Sequence, residues 1–342
     1  MLEALDPPRA HGPSLASGVL RAEPEDFVVE EELGFAPSGS GQHVLIKVRK
    51  RDANTQWVAR ELARACGSHP RDVGYAGLKD RRAVAIQWFS VPQSSIAPDA
   101  WMHVNGQGYE VLAAHAHSRK LPRGALAGNR FVVRIRGMDV DDAAFAERIA
   151  VIVSRGVPNY FGPQRFGRNG SNLARIADDL RTLRAPERGF ILSAARSVVF
   201  NAVTAERVRE GSWDRLEPGD VANLDARGSI FPVGSVDQEL VDRGLHLDIH
   251  PTAPLWGRGV PQSAERVHAL EVDVAGRYAK ACELTAMAGM DQERRATRLA
   301  VRDLEWHREP AAIVVSFRLA RGCFATTVLR EIVDAEPPEE GD

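Results

Sequence analysis

Residues 43–91 alternate between strand and helix patterns around one charged, glycine-bearing turn, and this alternation constrains the fold most. Branched apolar residues occupy alternate positions over residues 43–49, which predicts a half-buried strand. Asn54 is a predicted helix N-cap, and Gly67 ends that helix. Its apolar stripe consists of Val58, Leu62 and Ala65. Residues 83–91 then predict a second strand, so the segment indicates an α/β fold with a turn at the mouth of a sheet.

The turn between helix and strand carries one acidic residue, Asp80, which is the first candidate for chemistry. Gly74 and Gly77 let the backbone approach a ligand closely. The neighbouring cations favour the ionised carboxylate, which serves as a nucleophile or a base. These cations are Lys79, Arg81 and Arg82. The alternative interpretation is a solvated turn of mixed charge.

Length and composition predict a protein of about two domains. The chain has 342 residues, 44% of them hydrophobic and 26% charged, and no apolar run nears the ~20 residues of a membrane span. The first residues show no signal-peptide pattern, so we expect a cytoplasmic protein. Three separated cysteines fit neither a disulfide framework nor a zinc cluster, and we expect them to be small buried residues. They are Cys66, Cys282 and Cys323.

The charge of the chain is segregated, although the formal net charge is only −2. Residues 43–82 contain ten lysines and arginines against four acids, and residues 115–136 contain six against none. These two basic blocks predict a positive surface that suits a nucleic acid. The alternative is a pair of ordinary solvated faces.

Apolar periodicity and helix-ending residues also predict the remaining strands and helices. The sequence predicts strands over residues 131–136 and 311–318, the second rejoining the first sheet, and helices over residues 193–211 and 322–331. Asp141 or Asp142 begins another helix, which Gly156 ends. The apolar face of this helix consists of Phe145, Ile149 and Ile152.

Four blocks in this order resemble the tRNA pseudouridine synthase D (TruD) family. They are GYAGLKDRRAVAIQW from Gly74, NYFGPQRFG from Asn159, LSAARS from Leu192 with Phe200 and Asn201, and GCFAT from Gly322 with Leu329, Arg330 and Glu331. The resemblance extends from Pro24 almost to the C-terminus. Two positions depart from the family pattern, Ala85 where threonine is usual and Ala320 where proline is common.

The resemblance implies an α/β fold with a mixed, mostly antiparallel pseudouridine synthase sheet and flanking helices. Residues 1–154 and 304–342 would form this discontinuous catalytic domain, and residues 155–303 an inserted α/β domain specific to the family. The implied enzyme is an isomerase, an intramolecular transferase, that converts uridine 13 of tRNA to pseudouridine. It would be a cytoplasmic monomer that binds the D-arm region without a metal, an organic cofactor or a membrane, with the uridine flipped into a cleft between the domains.

The resemblance also assigns site residues. Asp80 would be the catalytic nucleophile or base. Phe27, Asn129 and Phe324 would contact the substrate, with Lys79, Phe131 and Arg165 as further binding residues. Stacking on an aromatic ring contributes about 1 to 3 kcal/mol per base, and an amide can match a uracil edge as donor and acceptor. Arg165 and Arg168 are candidates for phosphate contacts.

Other interpretations stay open on the residues alone. A metal enzyme would use His115 with His117, or His246 with His250, but neither pair has a third ligand at a recognisable spacing. Phe27 suits a core position and Asn129 a turn. An RNA-binding module without catalysis would share the basic blocks and aromatic residues, but would not need Asp80.

Overall fold

The structure, a computed structural model, describes residues 5–94, 96–167, 170–177 and 182–336. Its strands are β1 (Ala16–Leu20), β2 (Phe27–Glu32), β3 (His43–Arg51), β4 (Gly74–Tyr75), β5 (Val84–Pro92), β6 (Tyr109–His117), β7 (Gly128–Arg136), β8 (Val157–Pro158), β9 (Val221–Leu224), β10 (Ile230–Pro232), β11 (Ile249–Leu255), β12 (Glu293–Ala296), β13 (Arg298–Leu299), β14 (Arg302–Glu309), β15 (Ala312–Ala320) and β16 (Val333–Glu336). Its α-helices are α1 (Thr55–Ala65), α2 (Asp142–Arg155), α3 (Ser171–Ala174), α4 (Ala185–Arg209), α5 (Gln238–Leu245), α6 (Glu265–Arg277), α7 (Ala279–Met287) and α8 (Ala325–Leu329).

One sheet contains ten of the described strands. Its main path runs β14-β15-β7-β2-β5-β3-β6, with β4 on β5 and β1 beside β7 and β16. The pairs β2/β5 and β1/β16 are parallel, and the other pairs in this sheet are antiparallel. The predicted mixed, mostly antiparallel sheet is confirmed, and so is the return of the late strand, because β15 pairs with β7.

The described residues within Leu15–Asp141, Arg302–Gly322 and Val333–Asp342 form a compact unit around this sheet, the sheet unit. Helix α1 covers one face and begins at Asn54, whose side chain accepts a hydrogen bond from the Gln56 N–H. Val58 and Leu62 are fully buried as predicted. Ala65 is exposed, so its predicted place in the apolar stripe is wrong. Ala59 and Ala63 are buried instead, since the helix presents its i, i+4 row to the sheet.

The described residues within Met1–Ser14, Asp142–Val301 and Cys323–Ile332 form a second compact unit, the helical unit. Its central helix, α4, packs with α3, α6 and α7, and β11 joins a four-stranded sheet of order β10-β9-β11-β12. The predicted helix after Asp141 is confirmed as α2, which buries its three predicted apolar residues. The bounds of the predicted catalytic and inserted domains are a separate assignment and stay a prediction.

Two further features concern composition. In the described part of the chain, no helix is both long and apolar enough to cross a membrane. The three cysteines lie outside any disulfide and are only partly buried, so the expectation that they are buried is wrong. Burial of the Cys282 thiol nevertheless raises its pKa to about 12.

Replacing Leu62 by Ala tests the packing of α1 on the sheet. Because Leu62 is fully buried among Val44, Val58 and Phe89, the change leaves a cavity and lowers the free energy of unfolding by about 2 to 5 kcal/mol. Denaturant unfolding followed by tryptophan fluorescence measures the loss. Leu112→Ala on the partly exposed face of β6 is the control and should lose much less. Equal losses would contradict this packing.

Candidate active site

Asp80 lies in the loop between β4 and β5, the Asp80 loop (residues 76–83). Its side chain is 61% exposed, and its Oδ2 lies 3.1 Å from Arg21 Nη2. No other ion pair of the Asp80 carboxylate occurs among the described residues. A carboxylate that is exposed on one side and held by a single arginine is available to a substrate.

The backbone of the Asp80 loop is held by polar side chains that come from three different elements. Each bonds one backbone group that no strand or helix satisfies, so the loop is fixed although it has no regular structure. The bonds are from Gln87 Nε2 to the Gly77 carbonyl at 2.6 Å, from the Lys79 N–H to Thr55 Oγ1 at 3.1 Å, and from Lys50 Nζ to the Asp80 carbonyl at 2.9 Å.

A buried carboxylate, that of Glu31, lies beneath the loop. Alternation along β2 places Glu31 on the same buried face as Phe27 and Val29, and its side chain is fully buried. Its oxygens accept hydrogen bonds from the Trp88 N–H at 3.0 Å and Gln87 Nε2 at 3.3 Å. A buried charge needs such donors together with an opposite charge.

Lys79 supplies that opposite charge. Its Nζ lies 2.9 Å from Glu31 Oε1 and donates to Asn129 Oδ1 at 2.7 Å. The side chain is only 11% exposed, so Lys79 is directed into the sheet rather than toward a ligand. In this conformation the Lys79 charge is paired with Glu31 and its contacts hold the loop. Substrate binding by Lys79 stays a prediction.

Arg21, which the sequence did not single out, is the cation at Asp80. It follows β1 with a φ of +60°, a strained conformation for a residue with a side chain. Its guanidinium carbon lies 4.1 Å from the centre of the Phe27 ring, a cation–π contact. Arg21 thus joins the candidate catalytic carboxylate to the first residue of β2.

Phe27 and Phe131, two predicted binding residues, lie in the core of the sheet unit. Phe27 is 4% exposed and meets Phe131 edge-on, with ring centres 6.0 Å apart. Phe131 stacks in turn on Phe317 at 5.4 Å. With Arg21 over its ring, Phe27 has no open face in this conformation. A base can stack on Phe27 only after the arginine has moved.

Asn129 belongs to β7 rather than to a turn, so the turn interpretation is wrong. It pairs with Glu31 of β2 and Leu319 of β15, and it is buried. Because an ammonium group only donates, the atom that faces Lys79 must be the amide oxygen. The Asn129 NH₂ group makes no hydrogen bond with any described residue, and it is the part of the amide that can donate to a uracil carbonyl.

Lys50 is a second buried cation at this site. It continues the apolar face of β3 after Val44, Ile46 and Val48, and it donates to the carbonyls of Ala53 at 2.7 Å and Asp80 at 2.9 Å. Burial lowers its pKa from 10.5 to about 8, although the nearby Asp80 carboxylate raises it in part. A charged residue at an apolar position of an alternating strand is the signal that could have found both Lys50 and Glu31.

Two predicted site residues, Phe324 and Arg165, belong to the helical unit. Phe324 is the N-cap of α8 and is partly buried against that unit's core. The Arg165 guanidinium carbon lies 5.2 Å from the Phe161 ring centre, and its Nη1 donates to Ser193 Oγ at 2.9 Å. Burial lowers the pKa of Arg165. The other phosphate candidate, Arg168, lies outside the described residues.

The basic surface predicted around Arg130–Arg136 is partly neutralised. Arg134 forms a bidentate pair with Glu309, at 2.8 and 3.0 Å, and Arg136 pairs likewise with Asp26 at 2.9 and 2.8 Å. Of the three arginines, only Arg130 lacks an ion pair within the described residues. The acids lie outside this stretch, Glu309 in β14 and Asp26 just before β2, so the composition of residues 115–136 overstates their positive charge.

Metal ligands do not cluster in the described residues, where no group of three or more His, Cys, Asp or Glu is arranged to hold an ion. Both ring nitrogens of His250 are engaged, by Asp225 Oδ1 and by Arg298 Nε, each at 2.9 Å. The candidate site consists of an exposed Asp80 on a loop fixed above a buried Glu31–Lys79 pair.

The chain matches known proteins along nearly its whole length. The family model described as tRNA pseudouridine synthase D (TruD) matches residues 13–182 and 171–332. The chain belongs to the TruD family, as the sequence motifs predicted.

Individual relatives agree with this assignment. The protein named tRNA pseudouridine synthase D from Nitrosococcus oceani is 45% identical over 328 residues, which cover 94% of this chain and 92% of that protein. Its namesake from Methylococcus capsulatus is 44% identical over 337 residues, with 97% and 95% covered. A crystal structure from Methanosarcina mazei, described as that of a TruD protein, superposes with a TM-score of 0.75 at 19% identity and covers 97% of each chain, which confirms the fold.

Replacing Glu31 by Gln tests the buried pair. The change leaves the Lys79 ammonium beneath the loop without its counter-ion and should lower the free energy of unfolding by about 3 kcal/mol. The control is Glu30→Gln in the same strand, whose carboxylate pairs with Lys47 on a more exposed face and should cost less than about 1 kcal/mol. Indistinguishable urea midpoints for the two variants would refute a buried pair.

The pH dependence of stability tests the buried Lys50. Its pKa is about 8 when folded and 10.5 ordinarily, so between these values the unfolded chain binds the extra proton. The cost of burying the charge is fully present below pH 8 and disappears as the pH rises toward 10.5. The free energy of unfolding of the wild type should therefore rise over this range relative to that of Lys50→Met. A constant difference between the two proteins would contradict the lowered pKa.

Proposed function

We propose that this chain converts uridine 13 of tRNA to pseudouridine, with Asp80 as the catalytic residue. The observation that carries the proposal is the exposed Asp80 carboxylate, 3.1 Å from Arg21 and fixed by side chains of three elements. Membership in the TruD family, whose relatives bear the name tRNA pseudouridine synthase D, supplies the reaction.

The reaction needs no change of oxidation state. The bond between N1 of uracil and C1′ of the ribose breaks, the ring turns, and a bond forms between C5 and C1′. The proton on C5 is lost and one is gained on N1, so atoms and electrons balance within the substrate. A carboxylate can promote this isomerisation by attack on the sugar, by attack on the ring, or by removal of a sugar proton. Asp80 has the exposure that each route requires.

The uridine must leave its base stack before any of these steps, at a cost of a few kcal/mol. The sheet unit offers the extruded base one directed hydrogen bond, from the NH₂ group of Asn129, whose oxygen is occupied by Lys79. Displacement of Arg21 from Phe27 would expose an aromatic face in the same region. Phe324, only partly buried, is the proposed stacking residue of the helical unit.

An RNA-binding module without catalysis is the competing function. It would use the same cations and aromatic residues, but it would have no use for a fixed, exposed carboxylate. The four separate bonds and ion pairs that the structure gives to Lys50, Thr55, Gln87 and Glu31 around the Asp80 loop favour the enzyme.

Replacing Asp80 by Asn tests the catalytic role. The amide keeps the size of the side chain but is neither a nucleophile nor a base, so turnover should fall by about 10⁴-fold or more. Affinity for tRNA should stay within a few-fold. Asp72→Asn, an exposed acid before β4, is the control and should keep wild-type turnover. The measurement is pseudouridine formation in an unmodified tRNA transcript, with affinity from filter binding.

The site of modification is tested with the same assay. A transcript that carries cytidine at position 13 should yield no pseudouridine, and mapping should place the product of the wild-type transcript at position 13. Product elsewhere would correct the position without changing the chemistry. Equal product from the wild type and Asp80→Asn would show that another residue is catalytic. No product from either protein would favour the RNA-binding module without catalysis.

A further inference from the structure

A second cationic surface lies on the sheet unit, outside the Asp80 loop. Two adjoining cavities, of about 400 Å³ and 230 Å³, share Lys120, Leu121 and Pro122 as lining. We call them together the Lys120 trough. Arg71 and Arg123 line the larger cavity, and Arg119 and Arg321 line the smaller one. No aspartate or glutamate is among the described residues that line either cavity.

Three cations of the trough, Arg119, Lys120 and Arg123, are exposed. Arg119, Lys120 and Arg123 form no ion pair with any described carboxylate, in contrast to Arg134 and Arg136 on the same sheet unit. Arg71 reaches only its neighbour Asp72, at 4.0 Å. Like charges gathered without acids repel one another in the free protein, and an anion relieves that repulsion.

Aromatic rings accompany these cations in both cavities. The Arg123 guanidinium carbon lies 3.9 Å from the Tyr75 ring centre in the larger cavity. In the smaller cavity Phe35, which is partly exposed, stacks on His117 with ring centres 5.4 Å apart. Cations beside an open aromatic face are the combination that binds a nucleotide, since the ring stacks on a base while the cations hold phosphates.

The backbone of the trough is fixed independently of its charged side chains. The Leu121 N–H donates to Ser90 Oγ at 2.8 Å, and the Gly124 N–H donates to the Ala76 carbonyl at 2.7 Å. A side chain at Gly74 would meet the Leu121 carbonyl at 2.5 Å, so only glycine permits this approach. The Gly124–Ala76 bond joins the trough to the segment that leads to Asp80.

We propose that the Lys120 trough binds an unpaired stretch of the RNA substrate, with phosphates at Arg119, Lys120 and Arg123 and one base stacked on Phe35. The inference rests on the proposed function for the identity of the RNA. The trough holds the strand on the protein while Asp80 acts on the target nucleotide. Its residues position the RNA and take no part in bond making.

The test is the double variant Arg119→Ala/Arg123→Ala, which leaves Lys120 and the backbone bonds intact. Its KM for tRNA should rise about tenfold or more while kcat at saturating tRNA stays within two-fold. Loss of two phosphate contacts to an unpaired strand should reduce the slope of log affinity against log salt by about 1.4. The matched control is Arg60→Ala/Arg64→Ala on α1, which removes two exposed arginines outside the trough and should change neither quantity comparably. A thermal melt confirms folding.

Phe35→Ala separates stacking from charge. It should raise KM about five-fold or more without changing the salt slope, because no charge is removed. Met102→Ala, another partly exposed apolar side chain of the sheet unit, is its control and should leave KM unchanged.

The outcomes separate this inference from the proposed function. If the wild type forms pseudouridine and the double variant keeps the wild-type KM and salt slope, the trough is not an RNA site although the enzyme assignment holds. An equal effect in the α1 control would show that loss of any two positive charges weakens RNA binding, and this would also overturn the inference. If the wild type forms no pseudouridine, tRNA affinity measured directly on the same variants decides: weaker binding with a smaller slope supports the trough, and unchanged binding refutes it.

Discussion

The buried ion pair between Glu31 and Lys79 is the interaction on which the candidate site depends. It places one full charge pair beneath the sheet's surface, where the desolvation penalty is recovered only because the donors of Trp88, Gln87 and Lys79 all converge on one carboxylate. The residue that ends this network, Lys79, immediately precedes Asp80. The Glu31–Lys79 ion pair therefore has two effects: the geometry that satisfies the buried charge also fixes the backbone of the candidate catalytic residue.

The same ion pair explains why the Asp80 carboxylate faces outward. Within the loop, Lys79 pairs with Glu31 below it and Arg81 pairs with Asp52. The cation beside the Asp80 carboxylate is Arg21, which lies against Phe27 in a strained backbone conformation. The Arg21–Asp80 ion pair is the contact at this site that a substrate can most easily displace, since an ion pair with an exposed carboxylate is weak and a phosphate can compete for it. Substrate that takes Arg21 would free both the carboxylate and the aromatic face of Phe27.

The sequence predicted the sheet, α1 and α2 well, because alternation and helical periodicity are local signals that core packing reinforces. It also made Asp80 the candidate catalytic residue, through glycines and a family motif, and that role stays a prediction. It did not assign partners to the loop: Glu31 lies in β2, Lys50 in β3 and Arg21 just after β1, and no spacing along the chain encodes their contacts with the loop. The same limit made residues 115–136 look more basic than they are, since Glu309 and Asp26, both distant in sequence, pair with Arg134 and Arg136.

We propose that the buried Glu31 carboxylate positions Asp80 for pseudouridine formation. The most direct test measures the single-turnover rate of tritium release from tRNA labelled at C5 of uridine. With enzyme in excess, this rate reports the chemical step without product release. Glu31→Gln, assayed at a temperature at which it stays folded, should release tritium about 100-fold more slowly than the wild type or Glu30→Gln, with tRNA affinity unchanged. Release at the wild-type rate by folded Glu31→Gln would contradict the claim, because the loop would then hold Asp80 without the buried pair.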